Sequence, residues 1–269
     1  MSVKRLVSLF VMTVIVGVLV STVGCITIVA PGVGPATAGS GTLETREMDF
    51  TGFTKVKAGY ACQIDLTRAT SHFVSITLDD NLFEYLDTKI IGDTLYIGLE
   101  PNRSYRNYTH RATVTMPRLL ELEISGASRG DVSGFGSTDS LRLEASGAST
   151  LSIDDLEAGN TRLIVSGASR ATGGIEIADG DFEVSGASTV ELEGDADDIS
   201  LEVSGASTAR LADFPVDNAD ARVSGASTAT VNVSGILDID VSGASTLYYV
   251  GNPTLGRLNV SGGSRVSQR

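Results

Sequence analysis

The 269-residue chain predicts an all-β fold, a β-solenoid of stacked coils about 19–20 residues long, on three observations. The tetrapeptide SGAS, or its near copy SGGS, recurs eight times, starting at Ser125, Ser146, Ser166, Ser185, Ser204, Ser224, Ser242 and Ser261, at intervals of 18 to 21 residues. Apolar and polar residues alternate on both sides of each copy. The interval is too short to hold two strands, a turn and a helix, and the β-branched, glycine-punctuated composition disfavours a helix. A unit of this size cannot bury its apolar face alone, so its function has to be read from columns down a stack.

Counted from the glycine of each copy, the columns are chemically consistent. Four residues ahead stand Leu122, Leu163, Phe182, Leu201, Ala221, Ile239 and Leu258, and two ahead stand Ile124, Ala145, Val165, Val184, Val203, Val223, Val241 and Val260. Between them lie mostly polar residues such as Glu123, Glu144, Glu183, Glu202 and Asp240, which makes a strand with one buried face. Alternation resumes after the motif, as in Leu151 and Ile153 or Val190 and Leu192, so a second short strand follows. The glycine column, Gly126, Gly147, Gly167, Gly186, Gly205, Gly225, Gly243 and Gly262, admits a left-handed corner or close backbone approach. Small Ala and Ser beside it allow tight stacking, and the serine hydroxyls are expected to form a ladder that donates up the stack and accepts from below.

Ahead of the first copy the alternation persists in short runs: Thr54 to Lys57, Cys62 to Leu66, Val74 to Leu78, Leu95 to Leu99 and Ala112 to Met116, with a helical turn expected from Asn81 to Tyr85. Residues 47–269 therefore read as one continuous β domain, an N-terminal β section over 47–120 and the SGAS solenoid over 121–269.

Residues 1–24 read as an export signal, with Lys4 and Arg5, an apolar run from Leu6 to Val20, and small residues up to Cys25. Thr22-Val23-Gly24-Cys25 resembles a lipobox, which makes Cys25 a lipidation site and the membrane a partner through that lipid; an uncleaved signal anchor is the alternative. Residues 25–46, with Pro31, Gly32, Gly34 and Pro35, read as a flexible tether. The formal charge of −13 excludes nucleic acid as the main partner, and loss of Lys4 and Arg5 makes the remainder more acidic still. Beyond Cys25 the chain has only Cys62, expected as a small buried hydrophobe.

Gly126-Ala127-Ser128-Arg129-Gly130 fits G-x-S-x-G, but it sits in a β stack rather than between strand and helix, and its sister copies lack the final glycine. Twelve residues after the glycine stand Asp179, Asp198 and Asp217, a column that in register would place three carboxylates about 4.8 Å apart and could hold Ca²⁺. Solvated turn residues are the plainer reading of the same three. Tyr105, Tyr108 and His110, with Arg106 and Arg111, form an aromatic and basic cluster that could touch a glycan or protein ligand, a plain loop between two strands being the simpler reading. No zinc spacing, phosphate loop or dinucleotide fingerprint occurs, and no other cofactor is implied.

Phe50-Thr51-Gly52-Phe53 with Lys55-Val56, then Ile64-Asp65-Leu66, Asp79-Asp80-Asn81-Leu82, Thr94-Leu95-Tyr96-Ile97, Thr113 to Pro117 and the serial SGAS form an ordered set. In it the chain resembles the auto-transporter adhesin head GIN domain of bacterial cell envelopes. The resemblance implies a β-helix-like fold, export and an adhesive or envelope role, and supplies no catalytic residues. The expected function is a non-catalytic, exported binding and scaffold module, a lipoprotein of the cell envelope whose partner is a glycan or an envelope protein. A carbohydrate-active β-helix using an acidic lateral face and a passive envelope spacer are the alternatives.

Overall fold

In the computed structural model, which describes residues 36–269, each coil contributes one strand ahead of the tetrapeptide and one behind it. The signal, Cys25 and the first part of the tether lie outside these residues. Successive coils pair in parallel. The leading stack runs from Glu121–Ile124 through Leu141–Ala145, Thr161–Val165, Asp179–Val184, the second halves of Thr189–Val203 and Thr208–Val223, and Ile236–Val241 to Thr254–Val260. The trailing stack runs from Arg129–Ser133 through Thr150–Ala158, Arg170–Ile177, the first halves of the same two long strands, Thr228–Val233 and Thr246–Val250 to Arg265–Gln268. Alternation does what the sequence requires: Leu201, Val203, Ala209 and Leu211 are fully buried in one coil, while Glu202 and Arg210 between the members of each pair face out. The inward residues of all coils but the last join one continuous apolar core, the main source of stability. Residues 36–269 form a single compact unit around that core.

The tetrapeptide makes the corner between the stacks. At Gly186 the backbone is left-handed, with φ of 78°, and a Cβ there would overlap the carbonyl oxygen of Gly167 in the coil before it. That carbonyl is already engaged, accepting a 2.7 Å hydrogen bond from the Ala187 amide, and the same bond recurs from coil to coil. Glycine is thus required twice, by conformation and by the contact distance between corners.

The front half is continuous with the stack, as expected, and contributes a coil of its own: Lys55–Ala58 pairs in parallel with Glu121–Ile124, and Gln63–Arg68 with Arg129–Ser133. Residues 55–68 are therefore a coil of the same solenoid, and Gly59-Tyr60-Ala61-Cys62 stands at the corner where other coils carry the tetrapeptide. The opposite edges of this coil pair with Thr94–Ile97 and His110–Met116, so the stack order at this pole is not the chain order. Antiparallel strands close the pole: Phe73–Asp79 on His110–Met116, Leu43–Met48 on Phe73–Asp79, and Lys89–Ile91 on Thr94–Ile97. A 3₁₀ turn over Asp80–Tyr85, one residue longer than expected, buries Leu82 and Phe83 against this end. The expected tether is also shortened, since Thr37–Ala38 pairs with Tyr105–Arg106 and Leu43–Met48 is a paired strand.

The other pole is open. Leu237, Ile239 and Val241 are fully buried, yet their partners one coil on, Leu255, Leu258 and Val260, are 40%, 51% and 46% exposed. Among the described residues no helix is long and apolar enough to cross a membrane.

Candidate functional site

The serine column is structural. Ser128, Ser149, Ser169, Ser188, Ser207, Ser227 and Ser245, the last residue of each of the first seven motifs, are all buried. The expected hydroxyl-to-hydroxyl ladder is replaced by a different one: the backbone amide of Ser169 donates to Oγ of Ser188 at 3.3 Å, and Ser188, Ser207 and Ser227 repeat the pattern upward. Each Oγ thereby satisfies a corner amide of the preceding coil, which would otherwise be buried without a partner. Ser128 belongs to this ladder, accepting from the Cys62 amide at 3.1 Å, so its hydroxyl faces the corner interior rather than a substrate.

The acidic column does not form as expected. Asp179 and Asp198 pair across adjacent coils, but Asp198 stands opposite Asn218, whose amide donates to it at 2.8 Å. An extra residue enters the next coil between Glu191 and Glu193 of the register, ahead of the aspartate position, and moves Asp217 one place along. There Asp217 accepts from the Ser234 hydroxyl at 3.1 Å. All three aspartates are exposed, and among the described residues no three His, Cys, Asp or Glu side chains come together as a metal site.

The aromatic cluster does form, at the closed pole, and it is larger than the sequence reading. Tyr105 lies 6.0 Å from Tyr108, 6.2 Å from Tyr85 and 6.4 Å from Tyr60, centre to centre, and the Arg103 guanidinium sits 4.5 Å above the Tyr85 ring. The hydroxyl of Tyr108 donates to the Tyr60 carbonyl at 2.8 Å, and that of Tyr105 to the Glu100 carbonyl at 3.1 Å. Burial pushes both phenols up, so they stay neutral donors. His110 does not join the tyrosine rings. It is 3% exposed, one strand position before the Arg111–Gln63 pair and so beside Cys62 in the corner column. Burial lowers its pKa to about 4, and its Nε2 has no hydrogen-bond partner. Burial likewise pushes the Cys62 thiol up to about 12, which leaves it inert.

Tyr60 was missed from the sequence. It occupies the position of the motif glycine and keeps the left-handed backbone, φ of 58°, at a strain of about 1–2 kcal/mol. A side chain fits there because the neighbouring level has no tetrapeptide: residues 98–109 loop out between Ile97 and His110 where other coils turn in four residues. The Tyr60 ring is 37% exposed and lines a cavity of about 290 Å³ with Lys57, Lys89, Tyr96, Asp87, Glu123 and the Gly98 backbone. Lys89, Tyr96 and Lys57 are successive register partners on one outer face. Both lysines are neutralised: Lys57 Nζ by Glu123 at 2.5 Å and Glu121 at 3.1 Å, which hold it above the usual lysine range, and Lys89 Nζ by Asp87 at 2.8 Å.

Farther along, the outer faces carry an excess of carboxylates, and the arginines pair with some of them within and between coils. Arg142 bonds Glu144 at 2.6 Å, Arg162 reaches Asp181 and Glu183, and Asp220 receives Arg222 and Arg257. Such exposed pairs add little stability each.

Solved structures share this fold. One from Parabacteroides distasonis described as a "putative lipid binding protein" superposes with a TM-score of 0.80 at 19% identity, covering 87% of this chain and all of that one. A "putative adhesin" from the same organism gives 0.78 at 18% identity over 87% of this chain and all of that one. A "putative adhesin" from Parabacteroides merdae gives 0.75 at 16% over 88% and 100%. At these identities the likeness shows the fold. No curated protein matches the chain. The family model described as "Putative auto-transporter adhesin, head GIN domain" matches residues 52–253, from the antiparallel pole through the last fully buried coil, and the chain belongs to that family.

Proposed function

We propose that this chain is a non-catalytic binding and scaffold module of the bacterial cell envelope, adhesin-like and exported, and held at a membrane through a lipid on Cys25. The family supports an adhesive role. The observation that carries the reading is the concentration of tyrosines at one pole: Tyr60, Tyr85, Tyr96, Tyr105 and Tyr108 are five of the seven in the chain, gathered beside a cavity on an otherwise regular rod. Aromatic rings with one exposed face and a fixed polar end are contact residues, and the stacked corners behind them hold the site rigid. The groups that would serve chemistry are placed elsewhere: Ser128 is in the corner ladder, His110 is buried, and the aspartates are spread along the side.

The test uses residues 36–269, immobilised and exposed to an envelope extract, with released reducing ends measured in parallel. The reading expects a retained envelope component and no release. Release of reducing ends would make the protein a carbohydrate-active enzyme, and an empty column would make it a passive spacer.

A further inference from the structure

The cavity beside Tyr60 has a composition that specifies its ligand class. Two tyrosines of different strands, Tyr60 and Tyr96, line it together with the bare backbone of Gly59 and Gly98, so apolar faces and peptide edges meet in one recess. Its charges come as two closed pairs, Lys57 with Glu123 and Lys89 with Asp87, and Lys57 is further engaged by Glu121. An anionic ligand gains little from lysines already neutralised, and a purely apolar ligand would bury the four charges without compensation. A neutral sugar ring fits both features. Its C–H faces lie on aromatic rings, and each hydroxyl can donate to a carboxylate while accepting from the neighbouring ammonium. The volume of about 290 Å³ stands at the low end of ligand pockets and suits one or two rings rather than a long polymer.

The backbone at Tyr60 adds an independent observation. All eight motif corners carry glycine with φ between 69° and 79°, and only this corner holds an aromatic residue in the strained conformation. Strain at one coil of a repeat, with the side chain it permits half exposed at a cavity, is the pattern of a position kept for contact rather than stability.

We infer that the recess formed by Tyr60, Tyr96, Lys57, Lys89, Asp87 and Glu123 is a binding site for a neutral pyranose unit of an envelope or surface glycan. The inference rests on the reading of the chain as a binding module and narrows it to carbohydrate.

Tyr60→Gly tests it, because it installs the repeat's own residue and relieves the left-handed strain at position 60, leaving only that of Ala61, so the solenoid should still form. Residues 36–269 would be applied to an array of immobilised neutral and acidic oligosaccharides containing glucose, galactose, mannose and N-acetylglucosamine. The best binder would then be titrated by calorimetry and by tyrosine fluorescence, which is unobscured because the chain has no tryptophan. A neutral sugar should bind. Tyr60→Gly and Tyr96→Ala should each weaken it at least tenfold, while Arg210→Ala on the far lateral face leaves it unchanged. If Tyr60→Gly fails to fold, Tyr96→Ala and Lys89→Ala carry the same expectation. Preference for acidic sugars, or full affinity in the tyrosine variants, overturns the site. An array without binding, together with an envelope component retained on the immobilised domain, removes the sugar site and leaves the binding module; failure of both removes both.

Discussion

Replacing Gly186 with alanine should cost far more than a helix-style glycine substitution, and the structure gives the reason in three parts. The left-handed φ of 78° costs a side chain about 1–2 kcal/mol. The new Cβ meets the Gly167 carbonyl oxygen inside contact distance and the Gly167 nitrogen at 3.0 Å, so the corners must part, an overpacking cost of about 1–3 kcal/mol. Parting them weakens the 2.7 Å bond from the Ala187 amide to that carbonyl, worth about 1 kcal/mol. The total is about 3–6 kcal/mol, a large fraction of what holds a domain folded. Two neighbours serve as internal controls. Gly126 has the same backbone, φ of 79°, but a Cβ there would meet only the Tyr60 nitrogen at 3.5 Å, so alanine should cost about 1–2 kcal/mol. Gly263 has no left-handed φ and open space out to 3.7 Å, so its alanine variant should lose less than about 1 kcal/mol. Urea melts of residues 36–269 with unchanged slope would rank the three. Equal losses would refute the argument that corner-to-corner contact, rather than conformation alone, fixes glycine in the stack.

Other consequences follow from single side chains. His110 is held neutral in the fold with a pKa near 4 against 6.5 unfolded, so its contribution is complete above pH 6.5 and fades as pH falls toward 4. By pH 4 the loss is about 3 kcal/mol, and His110→Gln should flatten that part of the melting-temperature profile. At the open pole Leu258→Asp should cost less than about 1 kcal/mol, whereas Ile239→Asp, one coil inward and fully buried, should unfold the domain, as circular dichroism would show. Cys62, the single thiol in residues 36–269, should resist Ellman's reagent at pH 8 until denaturant is added, because burial keeps it protonated. With Asp198 facing Asn218 rather than Asp217, the melting temperature should be the same in millimolar Ca²⁺ and in chelator; a rise in Ca²⁺ would restore the acidic column as a site.

The motif coils were legible because both signals that build them are local: alternation such as Leu201, Val203, Ala209 and Leu211 sets the buried face, and the glycine sets the corner. The aspartate column misled because an offset counted from the glycine assumes constant coil length, and one inserted residue shifts everything after it. The first coil was hidden for a different reason. Val56 and Ala58, then Ile64 and Leu66, flank Gly59 to Cys62 with the spacing of a motif coil, and that spacing was the signal available. Only one glycine remains in the tetrapeptide, in its first place, because the neighbouring loop over residues 98–109 removes the steric demand at Tyr60. The non-sequential order of this pole depends on which edge a strand finds, which composition does not record. Leu43–Met48 reads LETREM, too polar to mark a strand; it is held by antiparallel pairing on Phe73–Asp79.

The central claim is that residues 55–68 are a coil of the solenoid, lodged between residues 94–116 and the first motif coil. Paired cysteines on a Cys62→Ser background test it directly, since parallel register partners bring Cα atoms within disulfide range. Thr67 pairs with Ser133 on one side and Thr115 on the other. Mild oxidation should close a disulfide in both Thr67→Cys/Ser133→Cys and Thr67→Cys/Thr115→Cys, and leave Thr67→Cys/Thr150→Cys reduced. Closure on only one side, or on neither, would contradict the account and leave residues 55–68 outside the stack.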